Sequence, residues 1–281
     1  MAIEVSVIIP VFEDVQRLAL CLDALKRQSL PAECFEIIVA DNAPYPHVPS
    51  GFLPVNARLI HEPVPGSYAA RNAAVATSRA PFVAFLDSDC VPDEDWLLNG
   101  LAALRAYPSS RITGPLEIFR ESGGSYYAHI HDLHVAFPQR SYVDAGFCVT
   151  ANLLVSRAIF DRVGPFDHCY SGGDARWGLR ATAAGVPIQY REDVRMSHPA
   201  RQSIAKIFGK SRRIAGSSHR GAPYFFFKLM TPPVHWIVRF RRSGLSWVDG
   251  LVVLSIIWCG RLVQAREFTL VRLAIKKPSR T

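Results

Sequence analysis

A chain of 281 residues, 49% of them hydrophobic, is long enough to bury a sizeable core. Its six cysteines are scattered with no CxxC pair and no zinc-like spacing, which argues against a disulfide-stapled scaffold and makes a reducing, cytoplasmic setting the expectation. The net charge of +8 is uneven: residues 1–200 carry 16 Lys and Arg against 22 Asp and Glu, whereas residues 201–281 carry 16 against 2.

In chain order, the opening MAIEVSVIIP has an acid at position 4, no basic leader and no small-residue cleavage site, so a secretory signal is not expected. Apolar runs then alternate with helical periods: VSVIIPVF, DVQRLALCLDALKRQ, FEIIVADNA, SYAARNAAVATS and PFVAFLDSDC. This is a βαβαβ pattern. Strands rich in Val, Ile and Phe without polar alternation predict an α/β fold, a mainly parallel sheet covered by helices on both faces. Residues 42–54 hold four prolines and no helical period, and read as an extended loop.

Beyond residue 110 the pattern is mixed, with strands expected near RITGPLEIF and ANLLVS, a helix near ARWGLRATAAG, and a short strand at VPIQYRE. Gly185 and Pro187 punctuate the end of that helix. After Ser197 the chain turns basic and then apolar, through FGKSRRIAG, PYFFFKLM and SWVDGLVVLSIIWCGRLV.

Open parallel sheets bind ligands beyond the carboxyl ends of their strands. Three such ends carry acids here: Glu13 and Asp14, Asp41 with Asn42, and Asp87 with Asp89. In Asp87-Ser88-Asp89, two carboxylates leave a strand together, and hard oxygen ligands so placed suit Mg²⁺ or Mn²⁺ on a diphosphate. On its own the triplet is equally well a capped or solvated turn.

The motifs VSVIIPVFED, EIIVADNA, GSYAARNAA, FVAFLDSDCVPDEDWL and SGGDARWGLRATAAG occur in that order. With them, residues 3–200 resemble the family 2 glycosyltransferases of the GT-A fold. The resemblance implies a catalytic domain over 1–200, with a nucleotide-sugar half of about 1–110 and an acceptor half of about 111–200, followed by a basic, apolar helical tail over 201–281. It implies an inverting transfer of a sugar from a nucleotide-diphosphate donor, UDP-sugar favoured, to an acceptor hydroxyl in bacterial cell-surface polysaccharide or glycolipid synthesis. Pro10, Phe12 and Glu13 would cradle the nucleotide, and Asp41 would accept a hydrogen bond from the base, favouring uracil or thymine. A turn-forming role is the other reading of Asp41.

Gly66, Arg71 and Asn72 match a loop and helix start near the nucleotide, Arg71 either facing phosphate or pairing with an acid of the Asp87-Ser88-Asp89 loop. Asp174 matches the catalytic base, although Gly173 stands where similar enzymes more often have an acid; capping the helix that follows is the alternative role. Trp177 is either a wall of the sugar pocket or a core residue, and Arg180 orders the loop. His198 would join Asp89 and Asp87 at an Mn²⁺ or Mg²⁺ ion. A zinc site at His129, His131 and His134 lacks a completing ligand pattern, and a polar acceptor wall is the simpler reading.

In the tail, Lys206, Lys210, Arg212 and Arg213 either close on donor phosphates or face anionic lipid. The apolar stretch 245–263 is interrupted by Asp249 and is too short for a clean span, so an interfacial or packed helix is expected. Arg239, Arg241 and Arg242 precede it, and Arg261, Arg266, Arg272, Lys276 and Lys277 follow. The pattern fits attachment at the inner face of a cell membrane, near a sugar or lipid-linked acceptor, and equally an oligomer interface. A nucleic-acid-binding protein using the basic tail and a catalytically weak GT-A-like, partner-binding scaffold are the competing classes; no nucleic-acid partner is expected, because the ordered motifs lie in the acidic part.

Overall fold

The computed structural model describes residues 2–49, 51–218, 221–231, 236–237, 240 and 243–278. The strands are β1 (Val5–Val11), β2 (Phe35–Asp41), β3 (Ala57–His61), β4 (Phe82–Phe85), β5 (Val91–Pro92), β6 (Arg111–Thr113), β7 (Leu116–Phe119), β8 (Leu153–Ser156), β9 (Ile188–Tyr190) and β10 (Met196–Pro199). The helices are α1 (Val15–Lys26), α2 (Ser67–Thr77), α3 (Trp96–Ala106), α4 (Tyr126–Val135), α5 (Gln139–Asp144), α6 (Arg157–Val163), α7 (Gly173–Ala183), α8 (Ile204–Gly216), α9 (Ala222–Met230) and α10 (Trp247–Arg272).

Seven strands form one sheet in the order β3-β2-β1-β4-β8-β6-β9. Strands β3, β2, β1 and β4 run parallel, β8 runs antiparallel to both neighbours, and β9 is parallel to β6. Every residue of β1 and β2 is buried, as their unbroken apolar character demands of strands covered on both faces. Because β2 lies on one side of β1 and β4 on the other, the connections diverge at the carboxyl end of β1, which opens a crevice there. Asp14 caps α1 by accepting from the Arg17 N–H at 3.2 Å, turning the chain away from that crevice at once.

The strand expected at RITGPLEIF is broken into β6 and β7. Pro115 has no N–H for a ladder, and at Gly114 an added Cβ would lie 2.1 Å from the Val194 carbonyl oxygen. The described residues of 42–54 lie outside every helix and strand, in line with their prolines.

The chain divides into two compact units, the first comprising 1–117, 138–169 and 173–198, the second 118–137, 170–172 and 199–281. Helix α4 belongs to the second unit, together with the chain beyond residue 199. In the first unit Ile8, Ile38, Phe85, Phe160, Phe166 and Trp177 share one core. In the second, α10 runs over 26 residues, about 39 Å at 1.5 Å per residue. Its Ile256 packs with Ala128 and Ile207, its Val253 with Ile130 and Phe240, and its Phe268 with Ala215 and Phe225. This helix is long and apolar enough to cross a membrane, with 28% of its most apolar window buried. Arg239, Arg241 and Arg242, expected to flank it, lie outside the described residues.

Candidate active site

At the end of β1, Pro10 is buried, Phe12 is half-buried and Glu13 is exposed. Glu13 holds φ at 55°, a left-handed backbone uncommon outside glycine, in the segment expected to cradle a nucleotide.

At the end of β2, Asp41 is fully buried. Its Oδ1 accepts from the Ala43 N–H at 3.0 Å, and its Oδ2 from the N–H groups of His47 and Val48 at 2.5 and 3.0 Å. With no exposed surface and three backbone donors, the carboxylate closes the loop that follows, the turn-forming one of the two roles expected of it. The adjacent Asn42, given no role by the sequence motifs, donates to the carbonyls of Glu62 and Val64 and accepts from the Gly66 N–H at 2.8 Å. Gly66, with φ at 128°, then starts α2, as expected.

Helix α2 carries three residues that matter to the site. Asn72 accepts from the Phe166 N–H and donates to the Phe166 carbonyl, which ties α2 to the loop before α7. Arg71, 3% exposed, reaches Asp87 in an ion pair with side chains largely shielded from water. Tyr68 lies under Arg71, whose guanidinium carbon is 5.2 Å from the ring centroid.

Asp87, Ser88 and Asp89 follow β4, each half-buried. Asp87 pairs with Arg71 through one carboxylate oxygen, the pairing that was one of the two roles expected of that arginine. Among the described residues one group of three side chains has metal-ligating atoms close together: Asp89, Cys90 and His198. His198, in β10, sets its Nε2 3.5 Å from Asp89 Oδ1 because β10 pairs with β5, the strand just after the Asp89 loop. Cys90 is fully buried, and burial first, then the charges of Asp89 and Asp87, push its thiol well above the ordinary range. A protonated, buried thiol is no ligand for a hard cation. Asp89 and His198 offer one carboxylate oxygen and one imidazole nitrogen at a partly open position, a donor set that fits Mn²⁺ or Mg²⁺ completed by diphosphate oxygens. The zinc reading at His129, His131 and His134 finds no such grouping among the described residues; His131 instead pairs with Asp132 at 3.1 Å.

Asp174 lies in the first turn of α7, and its Oδ1 accepts from the Ala175 N–H at 2.8 Å. It shares a neighbourhood with Tyr68, whose phenol is pushed well above its ordinary range by burial first and then by the charge of Asp174. Asp174 and Asp87 are therefore connected through two side chains of α2. Trp177 is 1% exposed among Phe160 and Phe166 and donates to the Gly164 carbonyl, so it is core and not a pocket wall. Arg180 pairs with Asp167 at 2.5 Å and orders that loop, as expected.

Arg111, which the sequence did not single out, is fully buried in β6 and donates to the Gly178 carbonyl, the Thr182 hydroxyl and the Val186 carbonyl, each at 2.8 Å. It ties α7 to the sheet that carries the site. Lys210, Arg212 and Arg213 lie on α8 of the second unit, Lys210 with its Nζ 4.5 Å from the centroid of the Phe137 ring.

Residues 6–164 match the family model for glycosyl transferase family 2. The chain belongs to this family. The match takes in the Asp89 loop and stops before Asp174 and His198. A relative of this family 2 enzyme, Glycosyltransferase AglE of Haloferax volcanii, is 28% identical over 284 residues, 92% of this chain and 93% of its own. The Pre-mycofactocin glycosyltransferase of Mycobacterium tuberculosis is 24% identical over 76% of this chain and 47% of its own. Among solved structures, S. aureus TarS 1–349 in complex with UDP superposes with a TM-score of 0.55 at 14% identity, over 97% of this chain and 91% of that one. TarS 1–349 in complex with UDP-GlcNAc superposes with the same score at 17% identity, over 76% and 66%. The enzyme is a glycosyltransferase with the mixed, mainly parallel sheet of the GT-A fold.

Proposed function

We propose that this glycosyltransferase moves a sugar from a UDP-sugar to an acceptor hydroxyl with inversion, Asp174 being the general base. The observation that carries this reading is the connection of Asp174, through Tyr68 and Arg71 of α2, to the Asp87-Ser88-Asp89 loop. A hydroxyl attacks an anomeric carbon only as its proton leaves, and the Asp174 carboxylate would take that proton. One displacement assisted by one base inverts the anomeric centre. UDP as the nucleotide is supported by the TarS complexes with UDP and UDP-GlcNAc, which share the fold.

Asp89 and His198 would hold Mn²⁺ or Mg²⁺, which when bound supplies positive charge to the departing diphosphate. Arg71 neutralises Asp87, so the loop presents one carboxylate to a cation instead of two that repel each other. The acceptor proposed is lipid-linked, at an anionic membrane surface. Supporting it, α10 exposes Val248, Leu251 and Leu262, and the chain beyond residue 200 is strongly basic.

The test is a panel of UDP-, dTDP- and GDP-sugars with the purified full chain and Mn²⁺, read by thermal shift and by slow release of nucleotide to water. The expected result is stabilisation by UDP-sugars and release of UDP from at least one. Absence of both binding and release with every donor would sink the reading.

A further inference from the structure

The antiparallel pairing of β5 with β10 sets Val91 opposite Ser197 and Pro92 opposite Met196. Carried one residue further, the same register sets Cys90 opposite His198. Directly opposed residues of such a ladder turn their side chains to the same face and come within contact distance. The sheet itself therefore brings a thiol to the imidazole. The Cys90 N–H, donating to the Asp87 carbonyl at 3.1 Å, closes the turn that carries Asp89 to the same place.

Three different donors gather as a result. An Asp89 carboxylate oxygen, a His198 ring nitrogen and Cys90 Sγ all lie within 4.8 Å of one another. In a tetrahedral site with bonds of about 2.0 Å to oxygen and nitrogen and about 2.3 Å to sulfur, neighbouring donors are about 3.3–3.6 Å apart. His198 Nε2 and Asp89 Oδ1, at 3.5 Å, already meet that spacing. From 4.8 Å at most, the sulfur reaches it by a shift of about 1 Å.

The sulfur divides metal ions into two kinds. Mn²⁺ or Mg²⁺ prefers hard oxygen donors, and on Asp89 and His198 it keeps most of its coordination positions for diphosphate oxygens. Zn²⁺ and Cd²⁺ bind thiolate strongly, and coordination sends the thiol proton to water. Held by three protein donors, a four-coordinate ion has one position left. That is too few to hold two phosphate oxygens of a nucleotide.

We propose that Asp89, Cys90 and His198 form a site for thiophilic divalent ions, Zn²⁺ foremost, which displace Mn²⁺ or Mg²⁺ and so block the metal-dependent binding of the donor. The proposal rests on the reading of Asp89 and His198 as ligands of the active-site cation, and adds to it a third donor and an inhibitory ligand.

Co²⁺ titrated into the full chain without nucleotide reports the sulfur directly, because a thiolate on Co²⁺ gives a near-ultraviolet charge-transfer band that carboxylate and imidazole do not. The band is expected at one ion per chain. It should vanish in Cys90→Ala and persist in Cys259→Ala, which removes the exposed cysteine. The ratio of Zn²⁺ to Mn²⁺ affinity, read by calorimetry, is expected to fall by at least about tenfold in Cys90→Ala. Zn²⁺ added to the unaltered chain with Mn²⁺ and UDP should remove the Mn²⁺-dependent part of UDP binding.

A one-to-one Co²⁺ complex of the unaltered chain without the band overturns the proposal, whether or not Cys90→Ala folds. An unchanged affinity ratio in folded Cys90→Ala does the same, and bound Zn²⁺ that leaves UDP binding intact overturns the inhibitory part. If Mn²⁺ still promotes UDP binding beside any of these results, the active-site reading stands without its third donor. Failure of Mn²⁺, Co²⁺ and Zn²⁺ alike to bind removes both.

Discussion

Asp41→Asn separates two roles that a carboxylate at the end of β2 can play. In the structure its two oxygens accept three backbone N–H groups, from Ala43, His47 and Val48, with no part of the residue exposed. An amide keeps one oxygen. Turned toward His47 and Val48, that oxygen leaves an NH₂ facing the Ala43 N–H; turned the other way, it opposes two donors with a donor. The better choice loses one bond to a charged acceptor, about 1.5–3 kcal/mol, and weakens the remaining two by removing the charge. The sum is about 3 kcal/mol, roughly a 100-fold loss of protection for the loop amides. Hydrogen exchange of a peptide spanning residues 41–48, run beside a UDP titration of the same sample, measures both quantities. Intact protection combined with a loss of UDP affinity of more than about tenfold would show that Asp41 serves the nucleotide, and would refute the loop-closing argument.

Asp174→Asn is expected to retain UDP affinity while losing about 10²–10⁴ of kcat, checked by UDP release at saturating donor. Asp89→Ala should abolish the part of UDP binding that depends on Mn²⁺ and leave metal-free binding unchanged, a difference read by calorimetry with and without the ion. Asp132 predicts a loss of stability in acid. Burial opposes its charge, but the hydrogen bond from His131 and the charge and N–H of Arg201 win, and its pKa lies at about 2 against an ordinary 3.8. A depressed carboxylate stabilises the fold above pH about 4 and loses that contribution as pH falls toward 2, about 2 kcal/mol in all; Asp132→Asn should flatten melting temperature against pH over that window. Leu251→Glu, on the exposed side of α10, should weaken cosedimentation with phosphatidylglycerol vesicles severalfold without changing the melting temperature, and unchanged cosedimentation would remove the proposed membrane contact.

Much of the architecture was legible because parallel strands announce themselves. VSVIIPV and FEIIVAD have no polar face, and both are wholly buried. The helix at SYAARNAAVAT was legible too, from a glycine start and an alanine-rich period. What escaped was set by distant partners. β3 carries little apolar signal, ARLIH, and becomes a strand because the exposed edge of β2 offers it a ladder. α4 gave no hint of joining the second unit, since packing Ala128 and Ile130 with residues more than 70 positions away leaves no local trace.

The site shows the same division more sharply. Asp87 and Asp89 are two residues apart and chemically identical, and the motif treats them alike. The fold gives them different work: Arg71 extends from α2, buried, to neutralise Asp87, while β10 brings His198 to Asp89. Neither partner is near in sequence, so which acid pairs with Arg71 and which lies beside His198 was not to be read from the triplet. Gly173 poses the reverse problem. In the sequence, its departure from the commoner acid reads as a sign of weakened catalysis, yet the ring of Tyr68 occupies the very space an acid there would need. A missing carboxylate in a motif is thus weak evidence of lost activity until the residue that fills its volume is known, because that volume can be supplied by another helix.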